Sequence, residues 1–328
     1  MKSTGVVALS IAFILLFWGY PCYSQNLGPI STRNQHLPHL VFLNLPPEGA
    51  ATAARGKVAI GLNLDYTNTC YWERGDSGEV IIDMEMMRFS PVLRYGVGEE
   101  VEVGLEMPFF YFYGGFLDWP IWDFHETFGF GQGDRAKRGK GEVEYLVRKG
   151  NRCWLHLTSA EFGPGDLNLF VKLRVLEQRG SYPGLALRSA LQIPTGDEEK
   201  GMGTGGPVFG LGLILEEQIG NLSLYLNANC HFIDPSRVFP VDRYYLFSGT
   251  LAAEYGFRED LSLLLQVNGN SSPFSTGMDL LDKRAAEIVS GLKWMLCEGT
   301  ILTLGVTEEL ISKTSADVTF TASLEFGL

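Results

Sequence analysis

Residues 58–66 read Val58-Ala59-Ile60-Gly61-Leu62-Asn63-Leu64-Asp65-Tyr66. Val58, Ile60, Leu62, Leu64 and Tyr66 interleave with Ala59, Gly61, Asn63 and Asp65, and a strand turns that period of two into one greasy face and one small or polar face. The rule recurs along the chain. Val101, Val103, Leu105 and Met107 alternate with Glu102, Gly104 and Glu106; Leu167, Leu169, Val171, Leu173 and Val175 alternate with Asn168, Phe170, Lys172 and Arg174. Leu222, Leu224 and Leu226 alternate with Ser223, Tyr225 and Asn227, and the chain closes on Val318, Phe320, Ala322, Leu324, Phe326 and Leu328 set against Thr319, Thr321, Ser323, Glu325 and Gly327. Such repetition predicts an all-β antiparallel sheet with one polar side.

The connections decide what closes that sheet. Short turns are readable at 96–100, 179–183, 220–221, 258–260 and 298–299, and longer polar connections fall between them at 69–79, 114–165, 195–205, 234–242, 271–283 and near Ser312. Short and long connections alternate, as periplasmic turns and outer loops do in a transmembrane barrel. The count is about 12 strands from Val58 to Leu328. It gives an antiparallel transmembrane β-barrel with one long aromatic-rich outer loop. The apolar phase slips between Met86 and Phe89, which predicts a bulge in the second strand. Aromatics near strand ends, among them Tyr66, Tyr95, Tyr111, Tyr113, Phe232, Tyr244 and Tyr245, suit an interfacial girdle.

Ahead of the barrel, Lys2, an apolar run from Val6 to Trp18 and the break at Gly19-Tyr20-Pro21 have the three-part build of a secretory signal peptide, with cleavage expected after Ser24. No later stretch is apolar for the eighteen or so residues that a membrane helix needs. The expected location is the bacterial outer membrane. A net charge of −12, or −13 once Lys2 leaves, excludes general nucleic-acid binding. Cys70, Cys153, Cys230 and Cys297 would remain after cleavage, and their spacing matches no metal motif and leaves pairing undecided.

Several segments resemble an uncharacterised bacterial family catalogued as domain of unknown function 3187. They are Thr32-Arg33-Asn34-Gln35 with Leu45-Pro46-Pro47, Gly114 to Asp118 with Trp122 to Gly129, Gly165-Asp166-Leu167, and Pro194-Thr195-Gly196-Asp197. The resemblance implies an outer-membrane barrel and supplies no activity, cofactor or catalytic residue.

Three groups are candidates for function. Alternation puts Asp65, Glu102, Glu106, Lys172, Arg174, Arg188, Lys293 and Glu325 on the inner face, where mixed charge either lines a selective pore or neutralises itself in a filled lumen. The long loop gathers Asp118, Trp122, Asp123, His125 and Glu126, types that a metal or acid/base site needs, although an inward-folded constriction packed by its aromatics explains them too. The irregular segment 25–57, with Arg33, Asn34 and Gln35 and an apolar run ended by Pro46-Pro47, is a poor spanning strand but can enter the lumen as a plug, Arg33 pairing with Glu102, Glu106 or Glu325.

No cofactor or metal is expected. The readings of function are a passive channel or transport-related barrel, then a structural or envelope-interaction barrel with a plugged lumen. Behind these come an outer-membrane lipid hydrolase, for which His231 shows no evident serine partner, and a soluble β-sandwich binding protein. Expected partners are outer-membrane lipid, lipopolysaccharide phosphates meeting the basic run from Arg135 to Arg152, and the barrel-assembly machinery through the C-terminal strand. The solute is not legible.

Overall fold

The computed structural model describes residues 26–179, 182–234, 241–311 and 313–327. The signal-peptide reading, Cys22, the outer connection at 235–240, Ser312 and Leu328 lie outside the described residues.

The sheet closes on itself. β1 (Val58–Gly75) pairs with β2 (Gly78–Gly96) on one side and with β16 (Val318–Gly327) on the other. Between them run β3 (Val101–Glu106), β4 (Phe109–Tyr113), β7 (Glu161–Pro164), β8 (Leu167–Leu176), β9 (Gly184–Ile193), β10 (Val208–Ile219) and β11 (Leu222–Ile233). β12 (Tyr245–Arg258), β13 (Leu261–Asn270), β14 (Ala285–Cys297) and β15 (Thr300–Glu309) complete the wall. The third crossing is β3 plus β4, broken at Met107-Pro108 because proline has no N–H for the ladder, and the fourth is β7 plus β8. All pairings along the wall are antiparallel, and twelve crossings result. No described helix is long and apolar enough to cross a membrane.

The outward phase is greasy wherever the inward phase is polar. Leu62, Leu93, Val171, Leu187, Leu211, Leu224, Leu251 and Leu304 all stand exposed on the wall, whereas Asn63, Arg88, Lys172, Arg188, Asn227, Thr250 and Thr303 are buried inside it. So many exposed large apolar side chains on one surface mark a wall that faces lipid. Tyr95, Tyr111, Phe209, Phe232, Tyr245 and Phe247 ring its edges.

Two expectations are corrected. The connection at 69–79 is almost entirely strand: β1 and β2 continue as a hairpin beyond the wall, with only Asp76 and Ser77 between them. The bulge near Met86 is absent, since the β1–β2 register runs unbroken from Val58 opposite Tyr95 to Gly75 opposite Gly78. The hydropathy slips while the backbone does not. Above Arg88 the inward residues Met86, Met84 and Ile82 are apolar because they join a hydrophobic core inside the outer end of the barrel.

That core is supplied by the segment ahead of β1. Residues 26–57 rise from the short-turn end, turn over at the short helix α1 (Leu37–Leu40) and descend to Val58. Leu37, Leu40, Phe42, Leu43 and Leu45 pack on Tyr71, Ile82, Met84, Phe112 and the outer-loop residues Phe274, Leu280 and Leu281. The last two belong to helix α3 (Asp279–Asp282). A barrel of this girth is too wide for its own side chains to fill, so a filled lumen needs such an insert.

Candidate functional site

The lumen is where the polar residues converge, and the inserted segment meets the wall through charges and amides. Arg33 donates to both oxygens of Glu106 at 2.8 and 2.9 Å. Arg88 donates to the same carboxylate at 2.5 Å and to Asp65 at 3.4 Å. Asp65 accepts also from Gln35 at 3.2 Å and from the Thr321 hydroxyl at 2.7 Å. Two cations thus face two carboxylates, all buried, and the desolvation cost of each is offset by the others and by the Gln35, Thr321 and Asn168 hydrogen bonds.

On the descending arm Glu48 accepts from Lys172 at 2.9 Å and from Arg188 at 2.8 Å. Burial pushes the Glu48 carboxyl up, but Lys172, Arg188 and Arg94 more than offset it and hold the group at about 2. Arg188 also donates to the carbonyl of Pro46 at 2.6 Å. Wall carboxylates accept from the insert's backbone: Glu102 from Ala53 N–H at 2.7 Å, Glu216 from Ala50 N–H at 2.7 Å, and Glu254 from Leu27 and Gly28 N–H at 3.0 and 3.1 Å. Lys293 donates to the Leu27 carbonyl at 2.9 Å. A cavity of about 10 Å³ lies between the two arms and the wall, lined by Asn34, Asn44, Asn229, Ser248, Thr250 and Asn268. It has room for one water molecule.

Of the inner-face residues read from alternation, Asp65, Glu102, Glu106, Lys172, Arg188 and Lys293 touch the insert. Glu325 stands 3.9 Å from Lys293, and Arg174 turns to the Glu99 carbonyl at the rim instead. Asn34 donates to Asn270 and to the Thr314 carbonyl. Arg88, Glu216 and Glu254 were missed. Each sits on the inward phase of its strand, but Arg88 lies inside the hydropathy slip, and Glu216 and Glu254 follow apolar neighbours that blur the alternation.

The insert also carries His36 and His39, their rings 5.2 Å apart. His39 bonds the Leu281 carbonyl at 3.0 Å and stacks on Phe274. Burial lowers the His39 imidazole to about 4 and lowers His36 well below the ordinary value, the His39 charge adding to the effect. Neither ring nitrogen of His36 has a hydrogen-bond partner among the described residues. Both rings are held neutral in an apolar lid.

The long loop departs from expectation. It neither folds into the lumen nor gathers its acids. Its first part forms helix α2 (Asp118–Phe128). Asp118 is buried and accepts from Arg135 at 3.0 Å, Asn68 at 3.2 Å and Gly141 N–H at 2.9 Å. Asp123 and Glu126 point to the exterior, His125 is half-buried, and Lys140 lies 4.7 Å over the Trp122 ring. The strands β5 (Glu144–Lys149) and β6 (Arg152–Leu157) form a hairpin that extends β2. Most of the basic run is taken up internally: Arg135 by Asp118 and Asp317, Arg138 by Asp83 and Glu144, Lys137 by Asp134, Arg148 by Glu79.

His231 does have a serine. Its Nε2 lies 3.0 Å from Ser248 Oγ, but its Nδ1 has no partner among the described residues and the pair faces the lumen. A hydrolytic triad needs a third group on that nitrogen. Among the described residues Cys70, Cys153, Cys230 and Cys297 form no disulfide.

Residues 6–328 match the family described as protein of unknown function, DUF3187. The chain belongs to the DUF3187 family. No curated protein matches it in sequence. The fold of this DUF3187 barrel is similar to that of the COG4313 outer membrane channel from Pseudomonas putida F1, with a TM-score of 0.58, 12% identity, and 87% of this chain and 100% of that one covered. Weaker likenesses are to the NanC porin (TM-score 0.47, 7% identity, 82% and 100% covered) and the P. putida toluene transporter TodX (TM-score 0.38, 11% identity, 84% and 90% covered). At such identities the likeness concerns the fold, and the fold is that of an outer-membrane barrel.

Proposed function

We propose that this protein is a plug-gated passive transport barrel of the outer membrane, closed by residues 26–57 and conducting when that segment leaves its wall contacts. The observation that carries the reading is the chemistry of the interface. Arg33, Glu48 and the backbone of both arms are held by charges and hydrogen bonds, which water can replace one by one when the segment moves. A permanent filler is as stable or more so with apolar contacts, because buried ion pairs barely repay their desolvation. The likeness to the COG4313 channel supports the same reading. The ion pairs cluster on β1–β3, β8 and β9, whereas β11–β13 present mainly amides and hydroxyls, Asn227, Asn229, Ser248, Thr250, Gln266, Asn268 and Asn270, with Glu254 beside them near the short-turn end. The vacated path along that second wall suits small uncharged polar solutes.

Single-channel recording tests it. Intact protein should be mostly closed, with rare openings, and a chain lacking residues 26–57 should conduct steadily once its barrel fold is verified by heat-modifiable gel mobility. Equal, absent conductance from both would favour the second reading, a structural envelope barrel with a permanently filled lumen, for which the apolar lid around Phe42, Phe274 and Leu281 speaks.

The same proposal extends to the surroundings. Lys149 and Arg152, at the tip of the outer hairpin, remain to meet lipopolysaccharide phosphates, and β16 presents the C-terminal strand to the barrel-assembly machinery.

A further inference from the structure

Phe116, Pro120, Phe124 and Phe128 recur every fourth residue through α2 and the turn before it, which stacks them along one side of the helix. They stand outside the protein: Phe116 is 59% exposed, Phe124 50% and Phe128 63%. The helix itself is held firmly. Asp118 anchors its start through Arg135, Asn68 and Gly141, Lys140 covers Trp122, and Gly129 ends it in the left-handed conformation at φ 71°. The stripe is therefore a fixed surface, and Phe124, Phe128 and Phe130 lie against one another along it.

Where the stripe begins decides what covers it. The Phe116 ring stacks 5.9 Å from Tyr66, and Tyr66 stacks 6.3 Å from Tyr113, which in turn stacks 4.7 Å from Tyr111. Tyr66 shares the outward phase of β1 with Leu62 and Leu64, the wall that faces lipid, and Tyr111 is exposed on the same surface. The apolar stripe is thus continuous with the aromatic girdle at the outer edge of that wall.

We propose that α2 is an interfacial helix lying on the outer leaflet, with Phe116, Phe124 and Phe128 inserted at the level where acyl chains meet headgroups. Its occupant is the lipid of the membrane that the barrel spans. Asp123 and Glu126, exposed on the neighbouring side, stay in water.

The test replaces Phe124 by tryptophan, and separately Asp123 by tryptophan, in the full-length chain refolded into phosphatidylcholine vesicles. Emission is compared with the parent protein in vesicles whose lipids carry bromine near the headgroup end of the acyl chain, deep in the chain, or not at all. The emission added by Phe124→Trp should be quenched most by shallow bromine, and that added by Asp123→Trp should not be quenched. Heat-modifiable mobility confirms that each variant is a folded barrel. A folded Phe124→Trp protein whose added emission no brominated lipid quenches overturns the proposal. The same holds if cross-linking shows a second copy covering the stripe.

Discussion

Arg33 on the inserted segment and Glu106 on β3 form a two-point ion pair in the middle of the lumen, 73 residues apart in the chain. Arg88 binds the same carboxylate from β2, so the insert completes a charge balance that the wall cannot achieve alone. Replacing Arg33 by alanine leaves Asp65 and Glu106 facing one arginine. Docking of the insert should weaken by about 3 to 5 kcal/mol, the usual cost of orphaning a buried charge. Limited proteolysis of the intact, membrane-inserted barrel should then cut within residues 26–57, and Arg33→Ala with Glu106→Gln should recover part of the protection. Equal protection of Arg33→Ala and the parent would show that the pair holds nothing.

Docking should also loosen in mild acid. His39 titrates near 6.5 when undocked and at about 4 when docked, so between those values the undocked form binds more protons. Docking is strongest above pH 6.5 and loses about 3 kcal/mol from this group as the pH falls to 4, with His36 adding in the same direction. Asp282 and the Tyr71–Glu309 pair stand beside the two rings and remain in place to receive the charge. Open-channel probability and protease sensitivity should rise through that window. A His36→Gln, His39→Gln protein should be flat across it.

Glu48 acts in a second, lower window. Its carboxyl is held at about 2 against an ordinary 4.5, so its contribution is complete above 4.5 and is lost as the pH falls towards 2. Glu48→Gln should shrink this lower transition while leaving the histidine one, which pH-dependent proteolysis of the two variants resolves.

Gly291 is constrained by the neighbouring strand β15 and by the insert. A Cβ there would sit 2.3 Å from the Leu304 carbonyl and 2.7 Å from Ile30 Cδ1, whereas one on Gly305 would meet Ile30 at 3.4 Å. Gly291→Ala should lower the thermal transition of the barrel in detergent by the equivalent of about 1 to 3 kcal/mol, and Gly305→Ala should change it little.

The two exposed thiols report the orientation. Cys153 lies on the outer hairpin and Cys297 beside the short turn before β15. A membrane-impermeant maleimide on intact cells should label Cys153 and spare Cys297, and the opposite pattern would invert the barrel.

Much of this was legible in order of residues. The alternating stretches 58–66 and 222–227 lie within β1 and β11, because side chains on a pleated ladder must alternate between lipid and lumen. The inward phase of Asp65, Glu106, Lys172 and Arg188 followed from the same rule. Arg88 escaped because Met86 and Met84, two and four residues before it on the same face, are apolar, and their reason is a core built by residues 37–45, far away in sequence. The failure at the long loop has a related cause. Asp118, Asp123, His125 and Glu126 are close in sequence, yet on a helix they diverge, and Asp118 is claimed by Arg135 and Asn68.

By itself the sequence determined the period of two, the twelve crossings and the sidedness of the wall, since these depend on each residue and its immediate neighbours. Only the tertiary structure decided which partner each lumen charge takes, that the outer end is sealed by an apolar lid, and that α2 lies outside the barrel. Those outcomes depend on which distant segments compete for the same space and the same counter-charge, and local alternation carries no record of that competition.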